Sequence, residues 1–256
     1  MSKTIKKSAN DAIVNELIEK QMRQLKLGGL AKDWFNVPFT TKEDYLLKLL
    51  EIELKEREVN RINRYVKTAG FSVIKELEDF EWHHNIGIPN GITRDDIENL
   101  TFISKKENLI MLGDVGTGKT HLSTALGLLA CHKNKRVRFY TAASLANILL
   151  EKNQRGNLNS FVMNLKKVEL LIIDEIGFVP LHQDAAQLMF QVISDCYEQR
   201  SLIITSNLEF SQWNTIFGDN RLTKALVDRL VHHSHIMIFS GESFRLAQSM
   251  KRQKSY

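Results

Sequence analysis

Residues 113–120 read GDVGTGKT, set between the apolar run NLIML (108–112) and the amphipathic run HLSTALGLLA (121–130). A loop that only reversed the chain would need one glycine and no lysine. Glycine allows backbone angles and close approaches that a Cβ would block. Successive N–H groups can then converge on an anion, helped by the positive end of the helix that follows. The stretch fits G-x-x-x-x-G-K-T, and the candidate phosphate cradle is Gly113, Asp114, Val115, Gly116, Thr117, Gly118, Lys119, Thr120 and His121. Lys119 is placed to reach β- and γ-phosphates, and Thr120 to ligate the Mg²⁺ that accompanies ATP.

Around this loop the texture is that of alternating strands and helices. Candidate strands are NLIML (108–112), RVRFY (136–140), ELLII (169–173), SLIIT (201–205) and HIMIF (235–239). Helical patterns such as AASLANILLEK and AAQLMFQVISDCYEQ separate them. Such alternation predicts an α/β domain with five parallel strands covered on both faces.

Three further positions bear on what happens to a nucleotide. LLIIDE (170–175) is an apolar strand that ends in two acids, 55 residues beyond Lys119. Strand carboxyl ends are where open α/β sheets bind ligands. Asp174 is the candidate Mg²⁺ ligand and Glu175 the candidate base for the attacking water. Strand SLIIT ends at Ser206-Asn207; Asn207 is either a γ-phosphate sensor or an ordinary turn former. Arg229, in KALVDRLVHHSH, is a candidate arginine finger for a neighbouring subunit's nucleotide, with Arg221 as the competing choice.

Residues 1–80 are helical in pattern: DAIVNELIEKQMRQLKL, a break at Gly28-Gly29, then TKEDYLLKLLEIELKEREVNRINRYVK, capped by Thr40 or Thr41. On that long helix Ile52, Val59, Ile62 and Val66 share one face, and Arg57, Arg61, Arg64 and Lys67 the opposite one. The basic face is either a track for a phosphate backbone or a solvated surface partnered by Glu53 and Glu56. Lys152, Arg155, Lys166 and Lys167 form a second basic set. No base-reading motif is present, so any duplex contact is expected to show little sequence preference. The expected division is a helical region at 1–80, a linker with a short helix at 81–107, an α/β domain at 108–246 and a basic tail at 247–256.

The chain has 256 residues, 43% hydrophobic and 25% charged, with net charge +5. It has the composition of a globular protein with a mild leaning towards polyanions. Its two cysteines, Cys131 and Cys196, form no CxxC pair, which argues against a disulfide framework or structural zinc. There is no signal-peptide core and no apolar run of about 20 residues, so the expected setting is cytoplasmic, away from membranes. His232, His233 and His235 have no cysteine or carboxylate at ligand spacing except Asp228 and are expected to pack rather than hold metal. Trp213 is read as a packing residue or a subunit contact. Leu100, Phe102 and Asn108 precede the loop where an adenine contact would be sought.

Taken together, GDVGTGKT, LLIIDE, TSN and VDRL resemble an AAA+ ATPase of the branch that includes the DnaC and DnaI helicase loaders. The likeness is closest to IstB-like ATP-binding proteins, helper ATPases of insertion sequences. It is carried by KTAGFSVIKELEDFEW (67–82), ENLIMLGDVGTGKTHLSTALG (107–127), RVRFYTAASL (136–145) and LLIIDEIGFVPL (170–181). ITSNLEFSQWNTIFGD (204–219) and ALVDRLVHHSHIMIFSGESFRL (225–246) extend it. The resemblance implies an Mg²⁺-dependent ATPase with ATP bound between subunits of a homo-oligomer. That oligomer would assemble on duplex DNA, deform it and recruit or activate the partner transposase. A helicase loader is the alternative reading; a small-molecule kinase and a non-hydrolysing architectural protein are more distant ones. Three departures stand out: Ser72 where the family has proline, Cys196 where it has arginine, and no residues for a C-terminal helical lid. Arg245 is the substitute expected for a lid-borne arginine.

Overall fold

The computed structural model describes residues 9–241 and 243–244; Arg245 and the basic tail lie outside them. The chain divides into two compact units, 1–64 and 65–256.

The described part of the first unit is helical: α1 (Ala9–Gln24), α2 (Leu30–Asp33), a 3-10 turn at Trp34–Asn36, and most of α3 (Lys42–Ala69). Leu30, Trp34, Val37 and Leu49 form its core, with Ile18, Met22, Leu27 and Tyr45 packed around them. Thr41 caps α3 by accepting from the Asp44 amide at 3.1 Å. The Thr40 amide donates to the Asp44 carboxylate in return, and with Lys48 it holds that carboxyl below its ordinary pKa.

The face of α3 that carries Ile52 and Val59 is not the side that packs in the first unit. Ile52 and Val59 are exposed, while Glu53 is buried beside Leu49. Glu53 Oε2 accepts from the amides of Gly29 (3.0 Å) and Leu30 (3.3 Å), and Arg57 Nε donates to Oε1 at 2.7 Å. A carboxylate with this many donors is tolerated inside, and here it satisfies the open N-terminus of α2. Helical periodicity alone cannot reveal such a partner set.

The second unit is built on a six-stranded sheet ordered β1-β6-β2-β5-β4-β3. Its strands are β1 (Ile86–Gly87), β2 (Asn108–Gly113), β3 (Val137–Thr141), β4 (Leu170–Ile176), β5 (Ser201–Ser206) and β6 (Ser234–Phe239). β2 to β6 are parallel, as the sequence predicts. The two-residue β1 runs antiparallel to β6 at one edge and is too short to leave a periodic signal.

Between the strands lie α4 (Arg94–Asn99), α5 (Thr101–Lys105), α6 (Lys119–His132), α7 (Ala142–Gln154), α8 (Leu158–Leu165), α9 (Gln183–Cys196), α10 (Asn214–Phe217) and α11 (Asn220–His232). Alternate strand residues feed two cores. Leu109, Met111, Leu170, Ile172 and Ile203 join Leu122 and Leu126 of α6 on one face. Ile110, Leu112, Leu171, Ile173 and Ile204 join residues of α7, α9 and α11 on the other. Burial on both faces explains why these strands read as continuous apolar runs.

The predicted linker at 81–107 is also corrected. Residues from Tyr65 belong to the second unit, and Ala69, Phe80, Ile97, Leu100, Phe102 and Ile103 are part of its core. Their apolar side chains are buried on the sheet, so the boundary falls within α3. Trp213 is fully buried, with Nε1 donating to Leu208 O at 3.3 Å, which rules out the subunit-contact reading.

Candidate functional site

The GDVGTGKT loop leaves the end of β2 and becomes the start of α6. Gly113 has φ +142°, and a Cβ there would lie 1.9 Å from the carbonyl oxygen of Phe239 on the adjacent strand. Gly116 has φ +83° and faces Ser243, while the Phe244 amide donates to Gly116 O at 3.0 Å. Side chains are excluded from both places for different reasons: one is closed by a neighbouring strand, the other by the segment after β6.

Lys119 curls back into its own loop. Its Nζ donates to the carbonyl oxygens of Gly113 and Asp114, both at 2.6 Å, and lies 3.3 Å from Thr117 Oγ1. Thr117 Oγ1 in turn donates to Asp114 O at 2.8 Å. The next residue, Thr120, donates to Asp174 Oδ1 at 3.1 Å, joining the loop to the acidic end of β4.

Asp174 is buried, and its Oδ1 also accepts from Thr205 Oγ1 of β5 at 2.5 Å. The same threonine oxygen accepts the Glu175 amide at 2.9 Å. Glu175 has φ +62°, a conformation rare for a side-chain-bearing residue. It breaks the β4–β5 register between Ile173 and Ile176. Such strain persists only where the surroundings over-determine it, and it clusters at working sites. Gly116, Lys119, Thr120, Glu175, Thr205 and Asn207 thereby line one cleft. Asn207 Oδ1 is buried there with no hydrogen-bond partner among the described residues.

The family description "IstB-like ATP binding protein" matches residues 20–252. The chain belongs to this family. It is 32% identical over 250 residues to a protein of insertion sequence IS5376 from Geobacillus stearothermophilus, covering 94% of this chain and 98% of the other. It is 36% identical over 208 residues to one of insertion sequence IS21 from Pseudomonas aeruginosa, covering 81% and 78%. Both relatives carry names that describe ATP binding.

Among solved structures the DnaC helicase loader aligns with TM-score 0.52 at 17% identity, covering 69% of this chain and 99% of that one. DnaA from Aquifex aeolicus bound to AMPPCP aligns with TM-score 0.53 at 22% identity, covering 71% of this chain. The aligned part spans only 55% of that DnaA chain. These likenesses show that the second unit shares its fold with DnaC and DnaA.

The remaining candidates of this IstB-like chain are scattered over other surfaces. Arg229 lies on α11, donates to Ser194 Oγ at 2.7 Å and sits 5.3 Å above the Phe190 ring. It does not line the cleft of its own chain. Arg221 begins the same helix, two turns away and exposed, where Asp219 caps its amide. His121 meets Glu76 O at 3.2 Å and the edge of Phe80. Leu100, Phe102 and Asn108 are all buried in the interior, and Asn108 Oδ1 accepts the Leu202 amide at 3.0 Å. They are unavailable to an adenine ring.

Arg57, Arg61 and Arg64 line a cleft of about 620 Å³ in the first unit, together with Arg23, Lys26 and Lys32. Nothing in the sequence pattern singles out the last three; the Gly28-Gly29 turn is the signal that folds α1 back towards α3. Lys67 belongs to the second unit. Of the other basic set, Arg155 pairs with Glu151 (3.1 Å), Lys166 with Asp195 (3.4 Å) and Lys167 with Asn164 (3.2 Å). Lys152 is half-buried at the end of α7.

The three histidines have separate partners: Tyr197 Oη for His232 (3.0 Å), Glu198 for His233 (3.1 Å) and Glu107 for His235 (2.9 Å). No cluster of three metal-binding side chains occurs among the described residues. None of the described helices is long and apolar enough to cross a membrane.

Proposed function

We propose that this protein is a switch-like ATPase that assembles on duplex DNA when ATP is bound, deforms the DNA, and recruits or activates the transposase of the same element. The observation that carries the catalytic part is the bond between Thr120 and Asp174 at 3.1 Å, with Glu175 on the same cleft. A triphosphate suits the residues present. The loop places an ammonium among its own carbonyls, and Lys119, Thr120, Glu175 and Asn207 face the same cleft.

In this reading Lys119 exchanges loop carbonyls for β- and γ-phosphate oxygens. Thr120 and Asp174 would hold Mg²⁺, Asp174 through water, and the ion would supply positive charge against the phosphates. Glu175 orients a water and accepts its proton as the water oxygen attacks the γ-phosphorus and the bond to ADP breaks. Asn207 fixes the γ-phosphate side of that geometry. Arg229, held away from its own cleft, acts on the nucleotide of a second subunit, with Arg221 as the other candidate.

Family membership supports the insertion-sequence setting, and the arginine-lined cleft of the first unit supports a phosphate-backbone contact. Lys67, Lys152, Arg155, Lys166 and Lys167 are the further DNA candidates. The test is sedimentation of the purified chain on random-sequence duplex DNA with ATP against ADP. Large assemblies that need ATP, and that Arg229→Ala abolishes, support the proposal. Assemblies indifferent to nucleotide sink it, and assembly only on single strands would move the reading to a helicase loader.

A further inference from the structure

The chain beyond β6 is held at two places, and unequally. At its root the Ser240 amide and hydroxyl both donate to Asn85 O, at 3.1 and 2.9 Å, and the Asn85 side-chain amide donates to Ser240 O. Asn85 immediately precedes β1, whose Ile86 and Gly87 pair with Phe239 and Ile238, so the root belongs to the sheet edge. One residue on, Gly241 has φ +113°, a conformation open to glycine and a natural hinge.

Further along, Ser243 and Phe244 lie across Gly116 of the phosphate loop. The Phe244 amide donates to Gly116 O at 3.0 Å, and a Cβ built on Gly116 would sit 3.3 Å from Ser243 Cα. The Phe244 ring stacks on His83, with centroids 4.6 Å apart and planes at 26°. This end is lightly held, by one backbone bond and one ring pair, and Phe244 is 42% exposed. Two contacts of this kind amount to a preference on the order of tenfold for the closed position.

The cleft beside them is narrow. About 50 Å³ is open among Gly116, Lys119, Thr120, Glu175 and Asn207, room for a few waters and far short of a triphosphate. Lys119 Nζ draws in the carbonyls of Gly113 and Asp114, while Gly116 O is taken by Phe244. These carbonyls belong to one turn. Spreading it around phosphates moves the carbonyl on which Phe244 rests.

We propose that Ser243 and Phe244 form a strap, rooted at Ser240, that holds the phosphate loop narrow and lifts about Gly241 when ATP enters. The inference rests on the reading of the cleft as an ATP site and adds its regulation. Apparent affinity is reduced by the fraction of molecules with the strap open, so loosening the strap tightens binding. A lid that gripped bound nucleotide would act in the opposite sense.

The test is equilibrium binding of ATP with Mg²⁺ to the full chain, to Phe244→Ala, and to the double variant His83→Cys with Phe244→Cys. Phe244→Ala loses the ring stack and is expected to bind ATP about three- to tenfold more tightly. The double variant should cross-link on oxidation, because the two rings are in contact and the native cysteines are buried. Cross-linked, it should bind ATP more than about tenfold more weakly than after reduction, and reducing the same sample controls for folding. Unchanged or weaker binding by Phe244→Ala, a double variant that does not cross-link, or a cross-linked protein that binds as well as the reduced one would each overturn the strap. A parent chain that binds no ATP in the same titration would overturn the ATP reading, and the strap with it.

Discussion

Thr205 and Asp174 are joined across adjacent strands by a 2.5 Å hydrogen bond, and the same threonine oxygen accepts the amide of Glu175. One hydroxyl thereby orients the candidate metal ligand and fixes the backbone from which the candidate base projects. It touches neither phosphate nor water in this account, so it is a positioning residue. Thr205→Val preserves shape and removes both bonds. Hydrolysis is expected to fall about 10–100-fold, the usual range for lost partners of metal ligands, with a higher Mg²⁺ requirement. Thr205→Ser should restore most of the rate. Thr205→Val with an unchanged rate and Mg²⁺ dependence would remove Thr205 from the site.

The loop glycines should separate folding from binding. At Gly113 an added Cβ meets the backbone oxygen of Phe239, which cannot move without parting β2 from β6. Gly113→Ala is therefore expected to lower the melting temperature sharply or prevent folding. At Gly116 the obstacle is the side chain of Ser243, and the positive φ adds roughly 1–2 kcal/mol. Gly116→Ala should fold, with only a small drop in melting temperature, yet bind ATP at least about tenfold more weakly, given that each 1.4 kcal/mol is tenfold. Melting curves and nucleotide titrations on both variants check the contrast.

How much of this was legible beforehand depends on burial. The five parallel strands announce themselves because both faces are covered, so Leu170 to Ile173 are apolar without a break. The loop and the two acids declare their chemistry through residue type at fixed spacing. Thr205 does not: inside SLIITS it reads as a β-branched strand residue, and only the pairing of β4 with β5 brings it to Asp174. The unit boundary is equally silent, since it falls inside a continuous helix and leaves no glycine, proline or change of composition. The burial of Glu53 is silent too, because a buried carboxylate looks, in sequence, like any exposed one.

Both cysteines should resist thiol reagents. Cys131 and Cys196 are buried, and burial pushes each thiol up to about 12 from an ordinary 9. A thiol whose pKa is raised on folding contributes stability that is present below its unfolded value and lost as pH climbs towards the folded one. The native protein is thus expected to lose stability between about pH 9 and 12, partly through these groups. At pH 8 an aromatic disulfide reagent should titrate no thiols in the folded chain and two after denaturation. Rapid reaction of either cysteine in the native state would contradict its placement.

Trp213 tests the core beneath the segment that follows Asn207. It is wholly enclosed and packs against Phe210 and Phe217. Trp213→Ala is expected to cost about 3–5 kcal/mol, measured by urea denaturation. A change of under about 0.5 kcal/mol, the size of a surface substitution, would place the residue elsewhere.

The central claim is that Glu175 activates water at a site made by Lys119, Thr120 and Asp174. Its most direct test is single-turnover hydrolysis of radiolabelled ATP by the parent chain and by Glu175→Gln, both with Mg²⁺ and duplex DNA present. The variant is expected to hydrolyse ATP about 10²–10⁴-fold more slowly, with ATP affinity within a few-fold of the parent. Equal rates in the two proteins would show that Glu175 is not the base, and the catalytic assignment would fall.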